Sequence, residues 1–267
     1  MYTIRNLVPL FTIGAASIVS TAEAVTTLND NFTNPADWAY LPGWAKGDAK
    51  FDTAGVTFLL QGDKPFQIHA LRYIGPGFFR ANPEGFQSFN WFGHQGPITY
   101  SFTLADLPNY STTENKPGYT ISLVLVCNDA TAYSDPATKA PTALVLKVED
   151  VGPRPVVNNQ NQFVAQIGFK VNSPNSAVGQ DQRILRFSND LPDMMPTPIG
   201  TWSFTIDGDE IWITNCLGQR SERAKLPSDL VLKHAADSAS LYLTITNGFQ
   251  PPGAVTISRV TVAPGAR

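Results

Sequence analysis

The 267-residue sequence lacks the marks of several large classes of protein. It has two cysteines and three histidines, with neither a C-x-x-C pair nor a Cys/His cluster at metal-ligand spacing, so nothing predicts structural zinc. The G-x-S-x-G turn of many serine hydrolases is missing too. The 19 basic and 22 acidic residues give a formal net charge of −3, which does not indicate a nucleic-acid or anionic-membrane partner.

Helical periodicity is almost absent after residue 24, and period-two alternation takes its place. Three segments put apolar residues on one strand face and polar residues or glycine on the other. These apolar positions are Ile98, Tyr100, Phe102 and Leu104, then Leu144, Leu146 and Val148, then Phe163, Ala165, Ile167, Phe169 and Val171. TISLVLVC, residues 120–127, is apolar on both faces, as in a strand in the middle of a sheet. The pattern predicts an all-β, two-sheet antiparallel β-sandwich.

Long apolar runs are missing except at the N-terminus. Arg5 precedes an apolar stretch over residues 7–19, and Ala22-Glu23-Ala24 matches a small-x-small cleavage site. We interpret residues 1–24 as a secretory signal peptide. The alternative is a buried or membrane-anchoring first helix, but the run is shorter than the ~20 residues that a span needs. The prediction is an extracellular or periplasmic protein with no integral membrane segment after signal removal, in which residues 25–267 form a single sandwich domain.

Two cysteines follow the signal peptide, Cys127 and Cys216. An oxidising compartment makes a disulfide between them a candidate. It would close a loop of about 90 residues, worth on the order of 4 kcal/mol in the chain-entropy model. Two separately buried thiols are the equal alternative.

TWSFTIDGDEIWIT, residues 201–214, holds three carboxylates between two runs of aromatic and β-branched residues. We interpret Asp207, Asp209 and Glu210 as parts of a hairpin turn rather than a catalytic cluster. Either Asp207-Gly208 alone or all four DGDE residues form the loop. The two registers differ by two residues, so the strand faces are the same in both.

In both registers, alternation along the two strands of this hairpin separates a buried face from a less apolar face. The buried face is predicted to hold Trp202, Phe204, Ile206, Ile211 and Ile213. Glu210 and Trp212 share the other face, where they are candidate ligand-binding residues: a pyranose stacks its apolar CH face on the ring while the carboxylate accepts hydrogen bonds from hydroxyls. The alternative is a tryptophan covered by a loop.

SFNWFGHQG, residues 88–96, supplies a second candidate ligand site. Asn90, Trp91, His94 and Gln95 combine an aromatic face with amides and an imidazole, in a segment whose glycines allow sharp bends. The alternative is a strand that ends in a turn before the next strand.

Several segments occur in an order that is typical of a known family of domains. GTWSFTIDGDEIWIT, LPSDL and SLYLTITNGFQPPGAVTISRVTVA follow one another in the last third, and NDNFTNPADWAYLPGW stands near the start. This order resembles the concanavalin A-like jelly-roll domains of bacterial secreted proteins, an architecture shared by legume lectins, laminarin-binding modules and laminarinase-type hydrolases. The resemblance implies a jelly-roll sandwich, and implies fold more than activity.

One departure from that family concerns catalysis. Laminarinase-type enzymes carry E-x-D-x-x-E on one strand, so that alternate carboxylates meet on one face, ~5 Å apart in a retaining enzyme. No such string occurs here. The nearest match has Glu149 and Asp150 adjacent, and adjacent strand residues point to opposite faces.

These observations predict an exported, non-catalytic, lectin-like domain whose partner is a polysaccharide or other glycan. One alternative is a hydrolase or lyase with a nonstandard site that uses Glu149, Asp150 or Glu210. A further alternative is a structural protein of a surface or matrix. No cofactor is predicted, although oxygen-rich loops at Asn128-Asp129 and Ser134-Asp135 leave a structural calcium ion as an option.

Overall fold

The computed structural model describes residues 28–40, 48–60, 68–75, 79–81, 87–89, 96–107, 119–127, 143–153, 161–170, 181–186, 198–226, 239–246 and 253–265. The predicted signal peptide, residues 1–24, lies outside these ranges. Within them, no helix has the length and apolar character needed to cross a membrane.

The described residues form seventeen strands and one 3-10 turn, Pro35–Asp37. The strands are β1 (Leu28–Asp30), β2 (Trp38–Tyr40), β3 (Asp48–Asp52), β4 (Gly55–Leu60), β5 (Ile68–Tyr73), β6 (Phe79–Ala81), β7 (Gln87–Phe89), β8 (Ile98–Asp106), β9 (Thr120–Cys127), β10 (Ala143–Pro153), β11 (Asn161–Lys170), β12 (Asp181–Arg186), β13 (Gly200–Asp207), β14 (Glu210–Thr214), β15 (Ala224–Lys225), β16 (Ala239–Thr246) and β17 (Gly253–Pro264).

The strands make two antiparallel sheets. The eight-stranded sheet has the order β15-β14-β13-β8-β17-β4-β3, and β1 also pairs with β17. The nine-stranded sheet has the order β12-β11-β10-β9-β16-β5-β2, with the β6–β7 hairpin attached to β16. The last strand of the chain, β17, lies in the interior of its sheet between β8 and β4, and β9 lies between β10 and β16. The predicted all-β, two-sheet antiparallel sandwich is confirmed, and so is the mid-sheet position of TISLVLVC.

The two sheets pack through the apolar faces that the alternation predicts. On β8 and β10 all seven predicted core residues are buried: Ile98, Tyr100, Phe102, Leu104, Leu144, Leu146 and Val148. The ring of Tyr100 stacks on that of Phe204 with their centroids 4.9 Å apart. Burial of each large apolar side chain contributes on the order of 1.5–3 kcal/mol, so this shared core is the main source of stability.

Hydroxyl side chains line the outer face of the eight-stranded sheet. Four pairs bridge neighbouring strands, with O–O distances of 2.5–2.9 Å: Thr57–Thr256, Thr99–Thr205, Ser101–Thr261 and Thr103–Thr201. Each pair joins strands that are distant in sequence. A slip of one residue would turn these hydroxyls toward the core, so the pairs favour the observed register.

The DGDE segment is the turn of the β13–β14 hairpin, as predicted. Ile206 pairs with Ile211 and Asp207 with Glu210, leaving two residues in the turn. Gly208 takes the first of these positions with φ of 63°, the arrangement of a type II′ turn. The strands pair as expected for a loop of all four DGDE residues, with Ile206 opposite Ile211. The turn itself is shorter, because Asp207 and Glu210 also pair and leave only Gly208 and Asp209 between them.

The two cysteines lie at opposite ends of the sandwich. Cys216 follows β14 beside Gly200, which pairs with Leu104 near the end of β8. Residue 246 ends β16 and residue 253 begins β17, and β4 ends at 60 just before β5 begins at 68, so these short chain lengths place both sheets' strand ends at the same side of the sandwich. Thr120 of β9 pairs with Thr246 and therefore lies at this same end. Cys127 is at the far end of β9, over ~20 Å away, whereas a disulfide needs Cα atoms within ~7 Å. This topology argues against the predicted disulfide, and burial raises the pKa of the Cys216 thiol.

We expect both cysteines to be alkylated when the chain is denatured in iodoacetamide without a reductant, since the fold keeps them apart. Intact mass spectrometry should show two added groups, matching a sample reduced beforehand. A chain that gains this mass only after reduction would contradict the topology.

Two glycines allow a matched test of the backbone. Gly55 has φ of 128°, and a Cβ built on it would lie 2.1 Å from the carbonyl oxygen of Ile257. Gly208 has φ of 63°, and no described atom lies within 4 Å of its Cβ position. We expect Gly55→Ala to lower the free energy of unfolding by more than ~3 kcal/mol and Gly208→Ala by about 1–2 kcal/mol. Urea denaturation measures both, and equal losses would contradict this reading.

Candidate functional site

The predicted ligand-binding residues belong to, or follow in sequence, strands of different sheets. Glu210 and Trp212 belong to β14 of the eight-stranded sheet. Residues 90–95, which include Asn90, Trp91, His94 and Gln95, lie outside the described residues. The strand before them, β7, ends at Phe89 and pairs there with Ala239 of the nine-stranded sheet.

Trp212 lies opposite the core face, as predicted, but it is not an open platform. Its relative exposure is 0%. The guanidinium carbons of Arg220 and Arg223 lie 4.7 and 4.5 Å from the centroid of its ring. The predicted sugar platform is therefore wrong for this conformation, because two arginines of the chain occupy the place where a pyranose would stack. The alternative, a tryptophan covered by a loop, is what the structure shows.

The two arginines come from the segment after β14, residues 215–226, which we call the arginine loop. Its backbone is fixed by local hydrogen bonds. The side-chain oxygen of Asn215 accepts from the Gln219 N–H at 2.9 Å, and its amide donates to the Gln219 side chain at 2.8 Å. The Ser221 N–H donates to the Ile213 carbonyl, while the Ser221 hydroxyl accepts from the Ile213 N–H, both at 2.9 Å. The backbone of the arginine loop is thus held against β14.

The carboxylates next to the turn are partners in ion pairs. Arg223 donates to Glu210 at 2.7 Å, and Lys225 donates to Asp209 at 2.8 Å. The hydrogen bond from Lys225 lowers the pKa of Asp209, and that same bond raises the pKa of Lys225. These groups are solvent-exposed, so the pairs add little to stability. The lowered pKa of Asp209 is the opposite of what a general acid needs.

One polar atom of this cluster is unsatisfied. Nε1 of Trp212 is buried and makes no hydrogen bond within the part of the chain that the structure describes. A buried N–H without an acceptor costs about 1–3 kcal/mol. Such a group in a covered cluster calls for an explanation.

A second polar region lies on the outer face of the nine-stranded sheet. Its residues alternate with core residues of β5, β9, β10 and β16, and cross-strand pairing makes them neighbours. We call it the polar face; it comprises Ala70, Arg72, Thr120, Ser122, Val124, Val145, Lys147, Glu149, Tyr242, Thr244 and Thr246.

One end of the polar face is enclosed. Arg72 retains 4% exposure and Tyr242 none, and the guanidinium carbon of Arg72 lies 5.9 Å from the tyrosine ring centroid. Desolvation by burial lowers the pKa of Arg72. The hydroxyl-bearing residues Ser122 and Thr244 are opposite each other in the next row and are buried too. A charged side chain is thus enclosed on the side of the sheet that faces away from the apolar core.

The other end of the polar face is open. Lys147 pairs with Ser122 and Glu149 with Thr120, and both charged residues are partly exposed. Thr120 and its neighbour Thr246 are partly exposed as well. This end therefore offers a cation, a carboxylate and two hydroxyls to solvent, directly beside the enclosed end.

The carboxylates considered for catalysis do not form a pair. Glu149 is on the outer face of the nine-stranded sheet and Glu210 on the outer face of the other, with the core between them. The sheets alone are ~10 Å apart, whereas glycoside hydrolysis uses carboxyls ~5–9.5 Å apart. For Asp150 the structure describes the backbone and not the side chain.

Metal binding receives no support from the described residues. Among them, no group of three His, Cys, Asp or Glu side chains is placed to hold an ion. His69 is in the core, its ring centroid 6.1 Å from that of Phe58. The loops with Asn128-Asp129 and Ser134-Asp135 lie outside the described residues.

Four residues of these two regions were not predicted from the sequence: Arg72, Tyr242, Arg220 and Arg223. Arg72 and Tyr242 had a usable signal, since each stands between two core residues in a strand and so belongs to the opposite face. The arginine-loop residues had none, because their stacking on Trp212 depends on how the loop folds back.

Several solved structures of known proteins are similar to this chain. A scan against protein-family models and a search of curated proteins returned no match. Similar solved structures include a seed lectin from Lotus tetragonolobus, with 14% identity, coverage of 89% of this chain and 97% of the lectin, and a TM-score of 0.46. An endo-1,3-beta-glucanase from Streptomyces sioyaensis has 13% identity, coverage of 89% and 96%, and a TM-score of 0.48. A lectin from Bauhinia forficata in complex with GalNAc has 13% identity, coverage of 88% and 96%, and a TM-score of 0.47.

The stacking of the arginines on Trp212 is open to a direct test. We expect Arg220→Ala combined with Arg223→Ala to expose the ring, and therefore to raise acrylamide quenching of tryptophan fluorescence. Lys50→Ala, an exposed lysine on β3, is the matched loss of charge and should change nothing. Unchanged quenching in the double variant would contradict the cover.

Proposed function

We propose that this protein is an exported, non-catalytic glycan-binding domain, and that it binds glycan on the polar face of the nine-stranded sheet. The proposal combines a site argued from the described residues with an export signal read from residues 1–24. The first can be tested on the folded chain and the second by N-terminal sequencing of the secreted product.

The proposal rests on the enclosed charge of Arg72 beside the open, charged end of the same face. Taking a guanidinium out of water costs several kcal/mol, and a hydrophobic residue of similar size is often more stable in such a place. The polar face does not need the charge to close the sandwich, because the core on the other side of the same strands is apolar. Shifted pKa values of enclosed charged groups are more frequent at functional sites.

The chemistry of the polar face suits a saccharide. Sugar hydroxyls are both donors and acceptors, and the open end offers the ammonium of Lys147, the carboxylate of Glu149 and two threonine hydroxyls. Tyr242 is fully buried at the enclosed end and is therefore not itself a stacking surface for a sugar. The strand that precedes Asn90 and Trp91, β7, belongs to the same sheet. This is consistent with the predicted role of the two residues at this site.

The absence of a carboxylate pair among the described residues favours binding over hydrolysis. Glu149 is the one carboxylate on the described polar face, and hydrolysis needs a second group as base or nucleophile. We therefore assign Glu149 the role of a hydrogen-bond acceptor for sugar hydroxyls.

Binding can be measured with a glycan array, followed by isothermal titration with soluble β-glucan. We expect Lys147→Ala and Glu149→Gln each to weaken binding about tenfold, because a hydrogen bond to a charged group is worth about 1.5–3 kcal/mol. Both residues are partly exposed, so the fold should survive. Trp91→Ala tests the neighbouring loop in the same titration.

The controls make the same chemical changes elsewhere. Lys50→Ala and Glu222→Gln alter exposed residues of the eight-stranded sheet and the arginine loop, and should bind like the unchanged chain. Binding that survives in both polar-face variants would remove this site. Reducing ends released from the β-glucan would instead favour a hydrolase, and no binding to any glycan would favour a structural protein.

A further inference from the structure

We propose that Trp212, Arg220 and Arg223 form an oxyanion-binding site, which takes the carboxylate or sulfate group of an acidic ligand. The site lies on the outer face of the eight-stranded sheet and is separate from the polar face. It does not depend on the glycan-binding proposal, because it uses other residues on the other sheet.

Arg220 and Arg223 are held in place before any ligand binds. Each guanidinium is planar and has five N–H donors in a fork that matches a carboxylate or sulfate. Stacking on Trp212 holds the two side chains close to one ring, at 4.7 and 4.5 Å from its centroid. The hydrogen bonds of the arginine loop fix the backbone beneath them. Much of the entropy normally lost when arginines close on an anion is therefore already spent.

The charge and the donors of the two arginines match those that an oxyanion needs. Both guanidinium carbons lie beside one ring, 4.7 and 4.5 Å from its centroid, so two positive charges approach the same side chain. An oxyanion next to the ring accepts from their N–H groups and relieves the repulsion between them. Lys225 pairs with Asp209 and lies 3.8 Å from Glu210, which weakens the repulsion of these carboxylates toward an anion, and Arg223 is shared between Glu210 and the anion.

The indole of Trp212 lacks a hydrogen-bond partner. Its Nε1 is fully buried and has no acceptor in the described chain. An oxygen of a bound anion would supply one once an arginine side chain shifts on the ring, because the N–H is closed to solvent in the observed conformation. The arginines themselves are accessible, since the Arg223 side chain is 42% exposed and Arg220 is exposed. A ligand can therefore reach the outer N–H groups without unfolding the arginine loop.

The test is an NMR titration of the indole N–H signals, of which the five tryptophans give five. Trp212→Phe removes and so assigns one signal. Sodium sulfate and sodium glucuronate are added separately at low ionic strength. We expect the Trp212 signal to move and saturate with at least one of them, and the one that binds more tightly identifies the source of the oxyanion. Rising sodium chloride should weaken the binding by screening.

Variants separate this site from general attraction to positive charge. Arg220→Ala combined with Arg223→Ala should weaken the anion at least about tenfold, whereas Lys50→Ala removes a comparable charge on the same sheet and should have no effect. Arg223→Lys keeps the charge but loses the fork, and should also weaken binding. Thermal melting of each variant checks the fold.

Two results would overturn the proposal: no saturable movement of the Trp212 signal with either anion, or unchanged affinity in the double arginine variant. Binding of β-glucan by the same variant reports separately on the polar face, so that the failure of one site is distinguishable from failure of the other.

Discussion

The need of two sheets to bury one apolar face each against the other governs this structure. Every strand of the core alternates, so whichever residues turn inward, their neighbours are forced onto an outer face. The positions on the outer faces are thus determined by the core, and the two outer faces have different residues. One has hydroxyl pairs and a tryptophan capped by arginines, and the other has an enclosed arginine and tyrosine that lead to an open charged end. Both candidate sites are consequences of the same packing.

Features that depend on strand parity could be predicted from the sequence. The inward set on β8 and β10 is buried as the alternation requires, and DGDE is a turn because it separates two runs that alternate. Both hairpin registers that the sequence allowed give the same faces, so the position of Trp212 on the outer face could be predicted even though the loop length could not. Local periodicity is enough for such statements, since it needs no knowledge of which strands are neighbours.

Features that depend on long-range arrangement could not be predicted. Cys127 ends β9 and Cys216 follows β14, but only the sheet order shows that these two strands end on opposite sides of the sandwich. The cover of Trp212 comes from arginines eight and eleven residues later, brought back by hydrogen bonds of Asn215 and Ser221. Arg72 was recognisable as outward-facing, yet its enclosure depends on the folded chain as a whole. In each case the missing information is tertiary.

The position of β17 has a consequence for when this chain is able to fold. The last strand lies between β8 and β4, in the interior of the eight-stranded sheet, and its hydroxyl partners are up to 199 residues distant in sequence. Until these final residues are available, the strands on its two sides have no common neighbour, and the sheet exists as two separate parts. Contacts this distant in sequence form slowly. A ribosome that still holds the C-terminal end therefore delays assembly of the core, because the eight-stranded sheet is incomplete until β17 is free to pair.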